Sequence, residues 1–245
     1  MKPSSTSPSD ALAILAFGAH PDDIEFGCGA VIARETSTGS TAHFVVCSRG
    51  ESASNGTPEE RVAEAEHAAG MLGATVEFAD LGGDAHLERK VAHALTLAAI
   101  IRRAKPRVVL APTLVENQHP DHAAVGHLVR DAARLARYGG VAELRDQPAH
   151  AIGQLLYYAV TPDAQPRDLA EILFDVSPPA VIAAWTEAMQ AHASQQRARD
   201  YAGMQLARAR LNGARCGAEH AVPLFPADPL VVDGLASLAR GARHF

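Results

Sequence analysis

The sequence predicts an α/β fold: a layered protein with a mainly parallel sheet flanked by helices. Three observations carry that reading. Apolar runs of strand length alternate with segments of helical periodicity from Leu12 to Arg137. The first of these runs, Leu12 to Gly18, is compact and continuously apolar, as strands buried on both faces are. The chain has 245 residues, 47% apolar and 20% charged, the size and balance of one sizeable globular domain. One domain is therefore expected over residues 1–245, with residues 1–10 a flexible tail.

Leu12 to Gly18 is an apolar run closed by glycine, suited to a central strand. Ile24 to Thr36 reads as a helix and Ala42 to Cys47 as a second strand. Thr57-Pro58-Glu59-Glu60 carries the capping-box pattern, with proline at the first helical position, where no backbone N–H is needed. The helix it opens should run to about Leu72, stopped by Gly73. Ala74 to Ala79 is strand-like, Leu87 to Ala104 helical, Arg107 to Pro112 another strand and Asp121 to Arg137 another helix. Beyond Gly139 the signal thins. Gln154 to Val160 and Ile172 to Val176 read as strands, and Val181 to Leu211 as strongly helical. The proline-containing stretch from Pro223 to Pro229 reads as loops with a short helix. Right-handed crossovers bring the C-terminal ends of parallel strands to one edge of a sheet. Ligand sites lie at that edge, beside the switch in strand order.

A net charge of −6 argues against a general nucleic-acid binder, which needs a basic surface. The basic residues between Arg197 and Arg215 are interrupted by acidic and apolar ones and read as a solvated helical face. Met1 to Asp10 lacks the basic start and apolar stretch of a secretory signal, and no run is long enough to span a membrane. Cys28, Cys47 and Cys216 are scattered and form no CxxC pair, so they read as reduced thiols in a cytoplasmic protein.

Two segments carry the chemistry. Ala19-His20-Pro21-Asp22-Asp23 and His119-Pro120-Asp121-His122 each follow an apolar strand, and each offers potential ligands three residues apart. His20, Asp23 and His122 would make a His/His/Asp set, which suits zinc with one position open to water. Iron(II) or cobalt could take the same ligands. Asp22 should project differently from Asp23 and could take a proton from that water as general base. His119, with Asp121 to orient it, is placed to donate to the oxyanion of a tetrahedral intermediate. Plainer roles exist: Asp22 and Asp23 start a helix, where carboxylates favour the positive end of the dipole, and Asp121 could do the same. Two His/Asp-rich turns at equivalent strand ends favour the metal site.

Gly18-Ala19-His20-Pro21-Asp22-Asp23-Ile24-Glu25, with the later His-Pro-Asp-His, resembles the LmbE-like or PIG-L family of zinc-dependent N-deacetylases. Ser54-Asn55-Gly56-Thr57 followed by Arg61 is similar to a segment of the bacillithiol-type deacetylases, and Ala191-His192-Ala193-Ser194-Gln195 to a family helix with a Ser-Gln pair. The resemblance implies a Rossmann-like fold and zinc held by His20, Asp23 and His122. It implies Asp22 as the base and His119 as the oxyanion or acid partner, held by Asp121. Arg61 would reach the substrate or the intermediate, and Asp84 would hydrogen-bond a sugar hydroxyl. The implied reaction removes acetyl from a small N-acetylglucosamine-containing amidosugar, in a protein that is frequently a homo-oligomer. Gln118 stands where the bacillithiol-type relatives have arginine, and Gly217-Ala218-Glu219-His220-Ala221 replaces their Tyr-Ala-Glu-Gly-Phe ending. A family lysine in the late helix is replaced near Trp185. All three departures bear on substrate recognition and spare the ligands.

Other features allow two readings each. Gly27-Cys28-Gly29 lacks the full GxGxxG pattern and reads as close packing of helix on sheet. Arg49 and Glu51 are either a polar rim of the cleft or a solvated turn, and Glu219 and His220 are loop candidates for its lining. Two further functions fit the pattern: a zinc amidase for another amide, such as a thiol conjugate, and a non-catalytic metabolite-binding module on the same fold.

Overall fold

The computed structural model describes residues 11–116, 119–197, 199–239 and 241. The expected tail, residues 1–10, and the departure at Gln118 lie outside them. The strands are β1 (Ala13–Gly18), β2 (Thr41–Val46), β3 (Ala74–Phe78), β4 (Val108–Pro112), β5 (Gln154–Tyr158), β6 (Ile172–Asp175) and β7 (Ala221–Pro226). The helices are α1 (Asp23–Thr36), α2 (Pro58–Met71), α3 (Val91–Ala104), α4 (Pro120–Arg137), α5 (Pro179–Ala191), α6 (Ala193–Gln196) and α7 (Tyr201–Cys216). The sheet order is β3-β2-β1-β4-β5-β7-β6. The first five strands pair in parallel, and β7 runs antiparallel to both β5 and β6. The direction of winding reverses between β1 and β4, so the crevice beyond their C-terminal ends is the expected ligand position.

Two cores sandwich the sheet. Ile14 and Ala16 of β1 face a cluster shared with α1, α2, α5 and α7. Leu15 and Phe17 face the opposite cluster, shared with α3 and α4. Strand alternation thus fills both sides, which is why the run contains no polar residue. Thr57 caps α2 by accepting from the Glu60 N–H at 3.2 Å, and Pro58 follows at the first helical position, as its sequence foretold. No helix among the described residues is long and apolar enough to cross a membrane.

Two expectations need correction. The stretch 181–211 is not one helix: α5 ends at Ala191, α6 is four residues long, and α7 starts at Tyr201. The break buries His192 completely, 3.4 Å from Glu25, and lets Ser194 donate through its N–H and hydroxyl to Glu64 at 2.8 and 2.6 Å. Those tertiary contacts outweigh the local propensity for a continuous helix. The proline-containing end also forms β7 rather than loops. Phe225 and Pro226 register against β5, whereas Pro223 registers only against β6, so its missing N–H costs no bond toward β5.

The glycines of α1 serve close packing, as expected. A Cβ on Gly27 would overlap a ring carbon of Tyr158, whose hydroxyl is fixed by donating to the Phe17 carbonyl at 2.7 Å. One on Gly29 would sit 2.9 Å from Trp185, which donates to the Glu25 carbonyl at 2.7 Å. Gly27→Ala should therefore destabilise the protein by about 1–3 kcal/mol through overpacking. This holds although alanine adds about 1 kcal/mol of helix propensity. A urea midpoint equal to or above that of the parent would refute the packing argument.

Candidate metal and active centre

β1 and β4 deliver the two motifs to the crevice. Beyond Gly18 the chain turns sharply, and Asp22 adopts φ 128°, a strained conformation for a residue with a Cβ. Asp23 holds this turn, its Oδ2 accepting from the N–H groups of Ala19 and His20, both at 2.9 Å. Its other oxygen, Oδ1, lies 3.1 Å from His122 Nε2. On the far side of the crevice His119 caps α4, its Nδ1 accepting from the Asp121 N–H at 3.4 Å, and the first turn of α4 presents His122.

The donor atoms of His20, Asp23 and His122 all lie within 4.8 Å of one another, and all three side chains are buried. His20 Nδ1 faces His122 Nε2 at 3.2 Å. Two imidazole nitrogens and a carboxylate aimed at one point form a donor set that fits a divalent transition metal. The other nitrogen of His20, Nε2, faces Asp84 Oδ1 at 3.1 Å and Asp121 Oδ2 at 3.3 Å. That is the carboxylate-to-imidazole contact that orients a ligating histidine. His20, Asp84, His119 and Asp121 form a second convergent group, also within 4.8 Å. The two groups share His20 through opposite ring nitrogens, and a neutral imidazole has only one lone pair to give.

Charge is distributed unevenly across this cluster. Burial works against ionisation of Asp23, but His122 and His20 beside it hold its carboxyl well below the usual carboxylate range. Asp22 goes the other way: burial, aided by the charge of Asp23, pushes its carboxyl up to about 6 against the pull of Arg61. Arg61 is buried, donating to the Pro21 carbonyl at 2.9 Å and to Asp22 Oδ2 at 3.4 Å. Gly50, at φ 73°, leaves the room its guanidinium occupies. Burial lowers the tendency of His20 to protonate, but contacts with Asp121, Asp23 and Asp84 raise it well above an ordinary imidazole. His119 is pushed down, by burial and then by the charge of His20.

His20, Asp22, Asp23, Arg61, Asp84, His119 and His122 thus line one cavity of about 430 Å³. Asp121 lies behind it, closer to His20 than to His119, from whose Nδ1 it stands 4.0 Å away; it also accepts from the Ala85 N–H at 2.8 Å. Arg49 and Glu51 are outside the lining. Glu51 accepts from the Asp84 N–H at 2.8 Å and from the Arg49 N–H at 3.0 Å, bracing the loop that carries Asp84. Glu219 and His220 border a different groove, beside Ser177 and Arg210. No motif announces Thr161, Tyr201, Met204 and Gln205, which complete the wall from segments far along the chain. Gln195 was visible in the Ser-Gln pair, and it donates to the Asn55 carbonyl at 2.9 Å.

Fold and site together define an α/β protein with a candidate metal-ligand cluster at the switch point of its sheet. A sequence model described as PIG-L, GlcNAc-PI de-N-acetylase, matches residues 15–133. The conserved protein TT1542 from Thermus thermophilus is 32% identical in its crystal structure, with a TM-score of 0.77 over 90% of this chain and 97% of that one. The chain belongs to the PIG-L family, whose members are deacetylases or related enzymes. Among curated relatives it is 34% identical over 138 residues to 4-oxalmesaconate hydratase of Pseudomonas putida KT2440, covering 51% of this chain and 53% of that protein. It is 35% identical over 120 residues to the uncharacterized deacetylase YaiS of Escherichia coli K12, covering 46% of this chain and 63% of that protein. These matches span only part of the relatives' length. The bacillithiol subtype finds no specific support among them.

Proposed function

We propose that the protein is a zinc-dependent N-deacetylase that hydrolyses the acetamide of a small N-acetylglucosamine-containing molecule. The observation that carries this reading is the convergence of His20, Asp23 and His122 beside a second, separately tuned carboxylate, Asp22, in a cavity. When bound, the zinc would polarise the amide carbonyl and acidify the attacking water. Asp22 takes the proton from that water and passes it to the leaving amine. Arg61, 3.4 Å away, fixes the direction of the Asp22 carboxylate. The accepting role of His119 Nδ1 leaves the proton of its neutral ring on Nε2. That N–H can turn from Asp84, 3.5 Å away, to the oxyanion of the tetrahedral intermediate. Asp84 and Asp121 hold His20, and the cavity's size suits a monosaccharide derivative.

A second reading has its own support: the hydratase relative suggests addition of water to an unsaturated oxo acid with the same donor set. Acetate and free amine should appear with N-acetylglucosamine compounds, and not with a panel of thiol-conjugate amides. Loss of absorbance of an unsaturated dicarboxylate would identify the hydratase instead. Metal analysis should find about one zinc per chain, and chelation should abolish turnover. Full activity in a metal-free preparation would overturn the proposal.

A further inference from the structure

A larger cavity lies at the opposite edge of the sheet. It has a volume of about 650 Å³ and opens between the N-terminal ends of β1, β4 and β5, the outer face of α4 and the segment after β7. Four arginines line it, Arg107, Arg130, Arg134 and Arg137, against one carboxylate, Asp228. This is a cationic patch on a chain of net charge −6. Arg130, Arg134 and Arg137 follow one another at helical spacing, so a single face of α4 presents all three. The helix dipole would account for basic residues in the last turn, but not for Arg130 or for Arg107 beside β4.

Arg137 donates to the Tyr138 hydroxyl at 3.3 Å, whereas Arg130 and Arg134 are poorly satisfied by the described residues of the protein itself. Asp131 stands 3.7 Å from Arg130 Nε and 3.9 Å from Arg134, too far for a hydrogen bond to either. Arg130 Nε is buried with no hydrogen-bond partner among the described residues. Behind the arginines the Tyr157 hydroxyl is likewise buried and unpartnered among them, in a side chain only 2% exposed. It is near enough to Arg130 and Arg134 to feel their charge. Buried polar atoms are seldom left unpaired in native proteins. Four guanidinium groups around one cavity, one of them with an unpaired buried Nε, mark a place prepared for hydrogen-bond acceptors.

We propose that this cavity binds a small phosphate-bearing metabolite, a phosphomonoester whose dianion is held by Arg130 and Arg134. Guanidinium forks match phosphate oxygens in pairs. Leu230 and Val231 form an apolar wall against which the organic part would rest. The cavity is roomy enough for a sugar phosphate or a nucleotide. The site is separate from the metal centre: α4 presents His122 in its first turn and the arginines from its middle to its last.

Isothermal titration of the full chain with glucose 6-phosphate, AMP and inorganic phosphate, each in a chelated metal-free sample, tests the proposal. The phosphomonoesters should bind, and inorganic phosphate should bind about tenfold more weakly. Equal affinity for all three would point to a free-phosphate site and overturn the metabolite reading. The double substitution Arg130→Gln/Arg134→Gln should weaken binding by at least about tenfold. Asp22→Asn should leave it unchanged. Binding that survives the double substitution, or is reproduced by sodium chloride at matched ionic strength, would refute the site. Unchanged circular dichroism of the variants will separate lost binding from lost fold.

Discussion

Asp22→Asn is expected to lower kcat by about 10²- to 10⁴-fold, the usual contribution of a positioned general base, while zinc content stays near that of the parent. Asparagine is isosteric and can still accept from Arg61, so the strained turn at Asp22 should survive. Asp23 and the two histidines that make up the donor set are untouched. The parent's acid limb carries the same information. Asp22 must be ionised to accept a proton, and burial places its carboxyl at about 6. Activity should therefore fall as pH drops through about 6, and bound zinc would draw the limb lower by favouring the carboxylate. The limb should disappear from the residual rate of the asparagine variant. Near-normal turnover by that variant would remove Asp22 from the chemistry.

The two His/Asp motifs and the elements before them were legible because their signals are local. β1 and β4 are each one apolar run, and a motif sits in the segment that follows each of them. Topology then does the joining: pairing β1 with β4 brings His20 and His122 together although 102 residues separate them. The contacts of Asp121 were less visible. Its neighbour in sequence is His119, but its closer partner is His20, a contact that requires the fold. Glu51 reads from the sequence as either a rim residue or part of a solvated turn; its bracing of a loop is invisible there, because its carboxylate meets the Asp84 N–H only after β2 and β3 are in place. The break at His192 has no glycine or proline to announce it. It is imposed by Glu25 and Glu64, charged groups supplied by α1 and α2.

The largest expected effect on stability lies at the other end of α4. Arg102 of α3 is almost wholly buried, 1% exposed, and its head group donates to four backbone carbonyls. The bonds to Ala136 and Tyr138 close the C-terminal end of α4, at 3.0 and 2.7 Å; those to Leu144 and Gln147 tie down the following loop. The guanidinium thereby meets the negative end of the α4 dipole, which offsets the cost of burying a charge without a carboxylate. Hydrogen bonds to charged groups are worth about 1.5–3 kcal/mol each, and four cannot be summed against a marginal total stability. Ala136, Tyr138 and Leu144 each keep a backbone donor, from His150, Val141 and Gln147, so part of the loss is recovered. Arg102→Met should therefore cost about 3–4 kcal/mol, the upper range for one substitution. Arg102→Lys should fall between, because an ammonium keeps the charge but cannot span carbonyls on two segments. Urea unfolding of the three proteins measures this order. A methionine variant within about 1 kcal/mol of the parent would mean that water replaces the guanidinium and that the α3–α4 apolar contact alone holds this end. The proposed metal ligand His122, in the first turn of α4, depends on the helix keeping its place, so zinc affinity of the methionine variant should weaken in step with its stability.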